Sequence, residues 1–283
     1  MKRFARVFPR PSSLFAAAAA LLLVCAGALA QTSSKPGEFV PQIGQPGKDV
    51  IWVPTPEALV ERMLTMAKVT PKDYVVDLGS GDGRTVIMAV KKFGATALGI
   101  EYNPDMVALS QRNAAQAGVS EHAKFVHADI FATDFSKATV VTMYLLPDLN
   151  LRLRPKLLQM KPGTRIVSHA FTMGDWDPEE REAVESRQAM LWIVPAKVQG
   201  AWHFKGPEGG FDAKFEQKYQ YVDGTVNGAK IEQGKLTGSA IAFAYAEGGR
   251  SHQFAGTVKG DEIRGSLDDR TGLHVNWMGS RKR

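Results

Sequence analysis

Val75-Val76-Asp77-Leu78-Gly79-Ser80-Gly81-Asp82-Gly83-Arg84-Thr85-Val86-Ile87 is a short apolar run that meets an acidic residue, passes through three glycines in five positions and continues as a helix-compatible segment. That order reads as strand, tight turn, helix. Glycines suit a turn on which a ligand approaches the backbone more closely than a Cβ allows, and positive φ costs them little. The helix start behind the turn offers unpaired N–H groups and a partial positive charge. The stretch is therefore read as the binding turn of an α/β domain.

Spacing narrows the ligand. The dinucleotide fingerprint is G-x-G-x-x-G, whereas here the third glycine comes one residue early and Asp77 stands two residues ahead of the first. Downstream, Thr96 to Glu101 is a second apolar run closed by a carboxylate, Lys124 to Phe131 holds a third with Asp129 just past its end, and Thr139 to Pro147 supplies a fourth. The pattern acidic-x-G-x-G-x-G with these followers resembles the class I S-adenosylmethionine (SAM) methyltransferases, over about Val53 to Trp176. The resemblance implies SAM as cofactor, held by Asp77, Gly79, Ser80, Gly81, Asp82 and Gly83 in the turn. Glu101, Tyr102 and Asn103 would follow on the ribose side, with Asp129 and Ile130 near the adenine. It also places Tyr144, in Tyr144-Leu145-Leu146-Pro147, on the loop facing the transferred methyl, as the catalytic candidate. Asn103 is read equally well as a cap on the helix after Pro104.

The implied fold is α/β: a Rossmann-like, doubly wound, mostly parallel sheet with a small C-terminal antiparallel β extension. Helices are expected from Pro56, before which Thr55 is either a cap or, in a V-P-T segment similar to that of seven-strand lysine methyltransferases, the entry to a SAM lid; from Thr85 to Phe93; from beyond Pro104 to about Ala117; and from Leu149 to Met160, bent or restarted at Pro155. Thr164 to Ser168 reads as the fifth strand. Ala189 to Val194 and Gly200 to Phe204 read as the antiparallel pair closing the sheet. Trp176 fits either an acceptor pocket or a domain seam. Beyond, turns expected at Asp223-Gly224, Asn227-Gly228, Gly248-Gly249 and Lys259-Gly260 separate short strands, Lys235 to Tyr245 among them, and predict a meander, partial barrel or sandwich. The domain reading is signal peptide 1–30, linker 31–52, methyltransferase domain 53–204 and antiparallel β-meander domain 205–283.

Composition bounds the partners. Of the 35 basic residues, Lys2, Arg3, Arg6 and Arg10 lie in the first 30 positions, which carry no acid, so the rest of the chain balances 31 basic against 29 acidic residues. No nucleic-acid partner is implied by that balance. Basic residues, the apolar run Leu14 to Ala30 and Ala28-Leu29-Ala30 match a secretory signal peptide, which predicts export, in the periplasm of a bacterial cell. An uncleaved membrane anchor is the alternative, and membrane contact is expected only through it. The one cysteine, Cys25, falls inside the leader. The six histidines lack paired ligand spacing, and no metal site is expected.

Methyl transfer from a sulfonium is an in-line displacement whose electrophile arrives activated, so no catalytic triad is needed. Tyr144-Leu145-Leu146-Pro147 departs from the N-P-P-Y-like tetrad of adenine-N6 and glutamine methylation. V-D-L-G-S-G-D-G-R, G-I-E-Y-N-P and R-I-V-S-H are similar to seven-strand protein-lysine methyltransferases, which implies a protein acceptor. The competing readings are an exported, non-catalytic ligand-binding or envelope-interaction protein on the same fold, and a nicotinamide oxidoreductase, for which the glycine spacing is wrong.

Overall fold

The computed structural model describes residues 39–207, 209–268 and 274–282. Five strands run parallel: β1 (Tyr74–Leu78), β2 (Thr96–Glu101), β3 (Ala123–His127), β4 (Val140–Met143) and β5 (Arg165–His169). Two more, β6 (Glu180–Val184) and β7 (Arg187–Ile193), pair antiparallel, and β7 runs antiparallel to β5, giving the order β3-β2-β1-β4-β5-β7-β6. The order reverses between β1 and β4, so the carboxyl ends of these two strands open onto a crevice.

Helices cover both faces, which is why β1 and β4 are apolar almost throughout rather than alternating. On one face Val75 and Val140 pack with Leu59, Val60 and Leu64 of α1 (Glu57–Met66) and with Val86 and Ala89 of α2 (Arg84–Phe93). α3 (Pro104–Gln116) contributes Val107 and Ala114 to the same cluster. On the other face, Val76, Leu78 and Met143 pack with Leu149, Leu153 and Leu157, one stripe of α4 (Pro147–Leu157). α4 begins at Pro147 and runs through Pro155 instead of restarting there, because the proline falls in the last turn and Leu158 N–H still reaches the Arg154 carbonyl.

The remaining strands form one closed antiparallel barrel: β8 (Gly200–Gly206), β9 (Gly209–Lys218), β10 (Tyr221–Val226), β11 (Ala229–Thr237), β12 (Ala240–Glu247), β13 (Arg250–Lys259), β14 (Glu262–Asp268) and β15 (His274–Arg281), with β15 pairing back to β8. Closure removes the exposed edges an open meander would leave. The interior is filled. Phe204 stacks on Phe211 at 4.6 Å and meets Phe254 at 5.3 Å, and a Cβ at Gly279 or Gly265 would lie 2.5 Å from the Phe204 ring and 2.6 Å from the Phe254 ring, respectively. Large rings facing glycines make a packed core, among the described residues, rather than a ligand cup.

The structure departs from several expectations. Gly200 to Phe204 belongs to the barrel, so the barrel starts at Gly200 and the pair that closes the sheet is β6 with β7. They are joined through Glu185 and Ser186, both at positive φ, as a two-residue hairpin requires. β6 hides from pattern reading because Glu180-Arg181-Glu182 is a charged edge. Asp223-Gly224 lies inside β10, where the register with β11 shifts, and Lys235 to Tyr245 breaks into two strands at Gly238-Ser239. Thr55 caps nothing: α1 starts after Pro56, without a side-chain cap.

Trp176 sits in the seam between sheet and barrel, stacked on Tyr219 at 5.9 Å. The Tyr219 hydroxyl donates to Asp175 (2.9 Å), Lys235 pairs with Glu179 (2.7 Å), and Gln220 Nε2 donates to the Asp177 carbonyl. The expected leader, residues 1–30, and Cys25 lie outside the described residues. No helix among the described residues is long and apolar enough to cross a membrane.

Candidate active site

A cavity of about 290 Å³ opens at the carboxyl ends of β1, β2 and β4, and the glycine turn forms its floor. Gly79, Gly81 and Gly83 have φ of +77°, +54° and +83°. A Cβ on Gly81 would stand 2.6 Å from the Trp52 indole nitrogen, and one on Gly83 2.7 Å from Ser110 Cβ and the Phe125 ring. Both handedness and space require glycine.

Asp77 is buried, and Thr142 donates its hydroxyl to Asp77 Oδ1 at 2.7 Å. Burial pushes its carboxyl up to about 7, against hydrogen bonds from Thr142 and Thr85 and reinforced by nearby Glu101 and Asp82. The adjacent Ser80 Oγ is buried and makes no hydrogen bond. Glu101 accepts from Gly81 N–H (3.0 Å) and Asn103 N–H (2.9 Å), which ties the end of β2 to the turn. Asn103 is indeed a cap, its Oδ1 accepting from Asp105 and Met106 N–H, and it also lines the cavity.

Residues 44–52 are more than a linker. Gly44 N–H bonds the Trp52 carbonyl and Trp52 N–H the Gln45 carbonyl, both at 2.9 Å, so this strap folds back on itself. It lays Trp52 over Gly81 and Lys48 against Asp129 and the Tyr102 ring, 4.5 Å from its centroid. Asp129 also accepts from Phe131 N–H, which with Lys48 holds its carboxyl below the usual range. Ile130 lines the same side. Asp82 lines the cavity as well, its carboxylate gripped by Arg84, which also reaches the Thr55 carbonyl at 3.0 Å. Trp52, Lys48 and Arg84 went unnoticed in the sequence. Only the D-G-R run held a cue, an acid two positions ahead of a base where a helix starts.

Tyr144 follows the end of β4 and lines the cavity beside Leu145, Leu146 and Phe171. Its ring stacks on His169 (3.8 Å) and on Phe171 (5.9 Å).

A family model described as the ANTKMT methyltransferase domain matches residues 77–180, from the turn through the Tyr144 loop. A protein-lysine N-methyltransferase of Saccharolobus islandicus is 47% identical over 138 residues, 48% of this chain and 86% of that protein. The chain belongs to the class I SAM-dependent methyltransferases. An adenine nucleotide translocase lysine N-methyltransferase of Mus musculus is 34% identical over 120 residues, 42% of this chain and 52% of that protein, so the match spans about half the mouse enzyme. A solved structure of an RNA methyltransferase from Salinibacter ruber in complex with S-adenosyl-L-homocysteine is 47% identical, with a TM-score of 0.51, and covers 52% of this chain and 96% of that one.

The site of this methyltransferase fits SAM on its own chemistry. The donor carries an ammonium and a sulfonium, and the cavity lining holds the buried Asp77 carboxyl, with no cation against it among the described residues, and the Ser80 hydroxyl, which has no hydrogen-bond partner among them. Bringing a cation to a buried carboxylate relieves the charge burial that raised its pKa. Glu101, Tyr102, Asn103, Asp129 and Ile130 line the side toward β2 and β3, where the carboxylates would offer acceptors to a nucleoside's hydroxyl and amine groups.

Proposed function

We propose that this enzyme methylates the side-chain amine of a protein lysine. The observation that carries the reading is the 47% identity to the archaeal protein-lysine N-methyltransferase across 86% of that protein. The acceptor side agrees with it. Tyr144, Leu145, Leu146, Met63 and Phe171 make an aromatic and apolar wall, and the Tyr144 hydroxyl has no hydrogen-bond partner among the described residues. An apolar wall disfavours an ammonium and so favours the neutral amine that must attack. Bound SAM supplies an electrophilic methyl. The protein's share is to hold the amine in line, take one of its hydrogen bonds at Tyr144 and keep water out.

A second reading, an RNA acceptor, is favoured by the likeness to the Salinibacter ruber RNA methyltransferase. It is opposed by the near balance of charge after residue 30. The test offers tritiated SAM with a lysine-rich peptide, an envelope protein extract and total RNA, followed by hydrolysis of the labelled material. Methyl-lysine is the expected product, and label confined to nucleosides sinks the proposal. Tyr144→Phe should lower kcat about tenfold while SAM affinity stays within about twofold, the cost of one positioning hydrogen bond.

We further propose that the leader takes the enzyme out of the cytoplasm into the periplasm, with retention by an uncleaved leader as the alternative. Mass spectrometry of the mature N-terminus, expected at Gln31, decides between them.

A further inference from the structure

The acceptor wall is braced from behind by His169, which does not line the cavity, and by Thr55, which stands at its rim. His169, 3% exposed at the end of β5, does not line the cavity, whereas Tyr144 in front of it does. The two rings lie 3.8 Å apart at 27°. His169 Nδ1 is fixed in turn by the Thr55 hydroxyl at 3.0 Å, a contact across 114 positions of sequence. Thr55 is only 8% exposed and its carbonyl is held by Arg84, so the contact has an anchored base.

The backbone is bent to serve the arrangement. Ala170 takes a φ of +63°, sparsely populated for a residue with a Cβ, and its N–H is pinned to the Gln188 carbonyl (2.8 Å). That kink sets His169 and Phe171 so that both stack on Tyr144. Ser168 Oγ donates to the Phe171 carbonyl at 2.8 Å, and Asn150 of α4 donates to the Thr172 carbonyl at 3.1 Å. Strain held at one residue by several hydrogen bonds beside a reaction site points to a placement that matters.

We infer that Thr55 and His169 are positioning residues that fix the plane of the Tyr144 ring, and through it the place of the hydroxyl that meets the acceptor. The inference rests on the proposal that Tyr144 faces a lysine amine, but the conformational part stands apart from it. Burial, with Arg187 nearby, lowers the His169 pKa to about 4, so the imidazole stays neutral at working pH and stacks without drawing a charge into the site.

The test uses full-length protein labelled with 3-fluorotyrosine and saturated with S-adenosylhomocysteine. The Tyr144 fluorine resonance is assigned by its loss in Tyr144→Phe. One sharp resonance is expected in the wild type and in Thr55→Ser, which keeps the hydroxyl. In Thr55→Val and His169→Leu it should shift and broaden, while His169→Phe, which restores a ring, should recover a single line. In a lysine-peptide assay the Val and Leu variants should lose about tenfold in kcat with KM for SAM within about twofold, and Thr55→Ser should recover activity. An unmoved Tyr144 resonance in both variants overturns the inference. So does a parallel loss of SAM affinity and of folded protein, the mark of a merely structural role. If the wild type methylates no lysine, the acceptor proposal fails and the resonance alone decides the positioning role.

Discussion

Asp77→Asn lowers affinity for SAM by at least about a hundredfold and makes the ligand-free enzyme more stable at pH 8. Both effects have one cause. The carboxyl is buried with hydroxyl donors but no cation, which pushes its pKa from 3.8 up to about 7. Below about pH 4 folded and unfolded chains both carry the proton and the group costs nothing. Between about 4 and about 7 the folded chain keeps a proton that the unfolded chain has lost, so stability falls as pH rises, and above that range the full penalty remains. A shift from 3.8 to about 7 corresponds to at most about 4 kcal/mol. Asparagine keeps the acceptor for Thr142 without the charge, so melting temperatures measured with and without SAM at pH 5 and 8 check the claim. Wild type should gain affinity for SAM as pH rises through about 7, because the cation meets a carboxylate. A variant that binds SAM as tightly as the wild type, with an unchanged pH profile, removes Asp77 from the site. Glu101 is the weaker probe, since Gly81 and Asn103 already engage both its oxygens.

Phe204→Ala is the second large effect, and it falls on the barrel. The Phe204 ring is fully buried, between Phe211, Phe254 and the strand carrying Gly279. Closed pairing from β8 round to β15 leaves the walls little freedom to collapse into the space, so the loss should be about 3–5 kcal/mol. Among the described residues, the cavity is lined by residues up to Phe171 and by none from the barrel. At low temperature, where the variant is folded, SAM affinity should therefore stay within about twofold of wild type. Denaturant unfolding followed by tryptophan fluorescence, with calorimetry for SAM, checks both halves. Equal loss of stability and SAM affinity would tie the barrel to the donor site.

Much of this was legible because it is local. The sequence around Asp77 to Gly83 carries its own explanation: a buried strand, three left-handed positions that only glycine fills cheaply, and a helix that follows at once. Glu101, Asn103 and Asp129 are legible for a related reason. Each lies at or just past a strand end or at a helix start, and parallel topology brings strand ends together without any detail of packing. The barrel was half legible. Alternating strands and glycine turns announced antiparallel β structure, but Asp223-Gly224 imitates a turn inside β10, and nothing along the chain says that β15 returns to β8.

What the sequence by itself determined, then, is the class of fold, the glycine turn and the place of the carboxylates beside it, because these follow from backbone geometry over a few residues. Tertiary structure alone decided which partner each polar side chain takes. Lys48 reaches Asp129 across 81 positions and Thr55 reaches His169 across 114. A threonine before a proline-started helix looks locally like a cap, and only the packing of α1 against β5 and β7 turns its hydroxyl to the imidazole. Such pairings are set by the distance between surfaces once the core has formed, and that distance has no local trace in the chain.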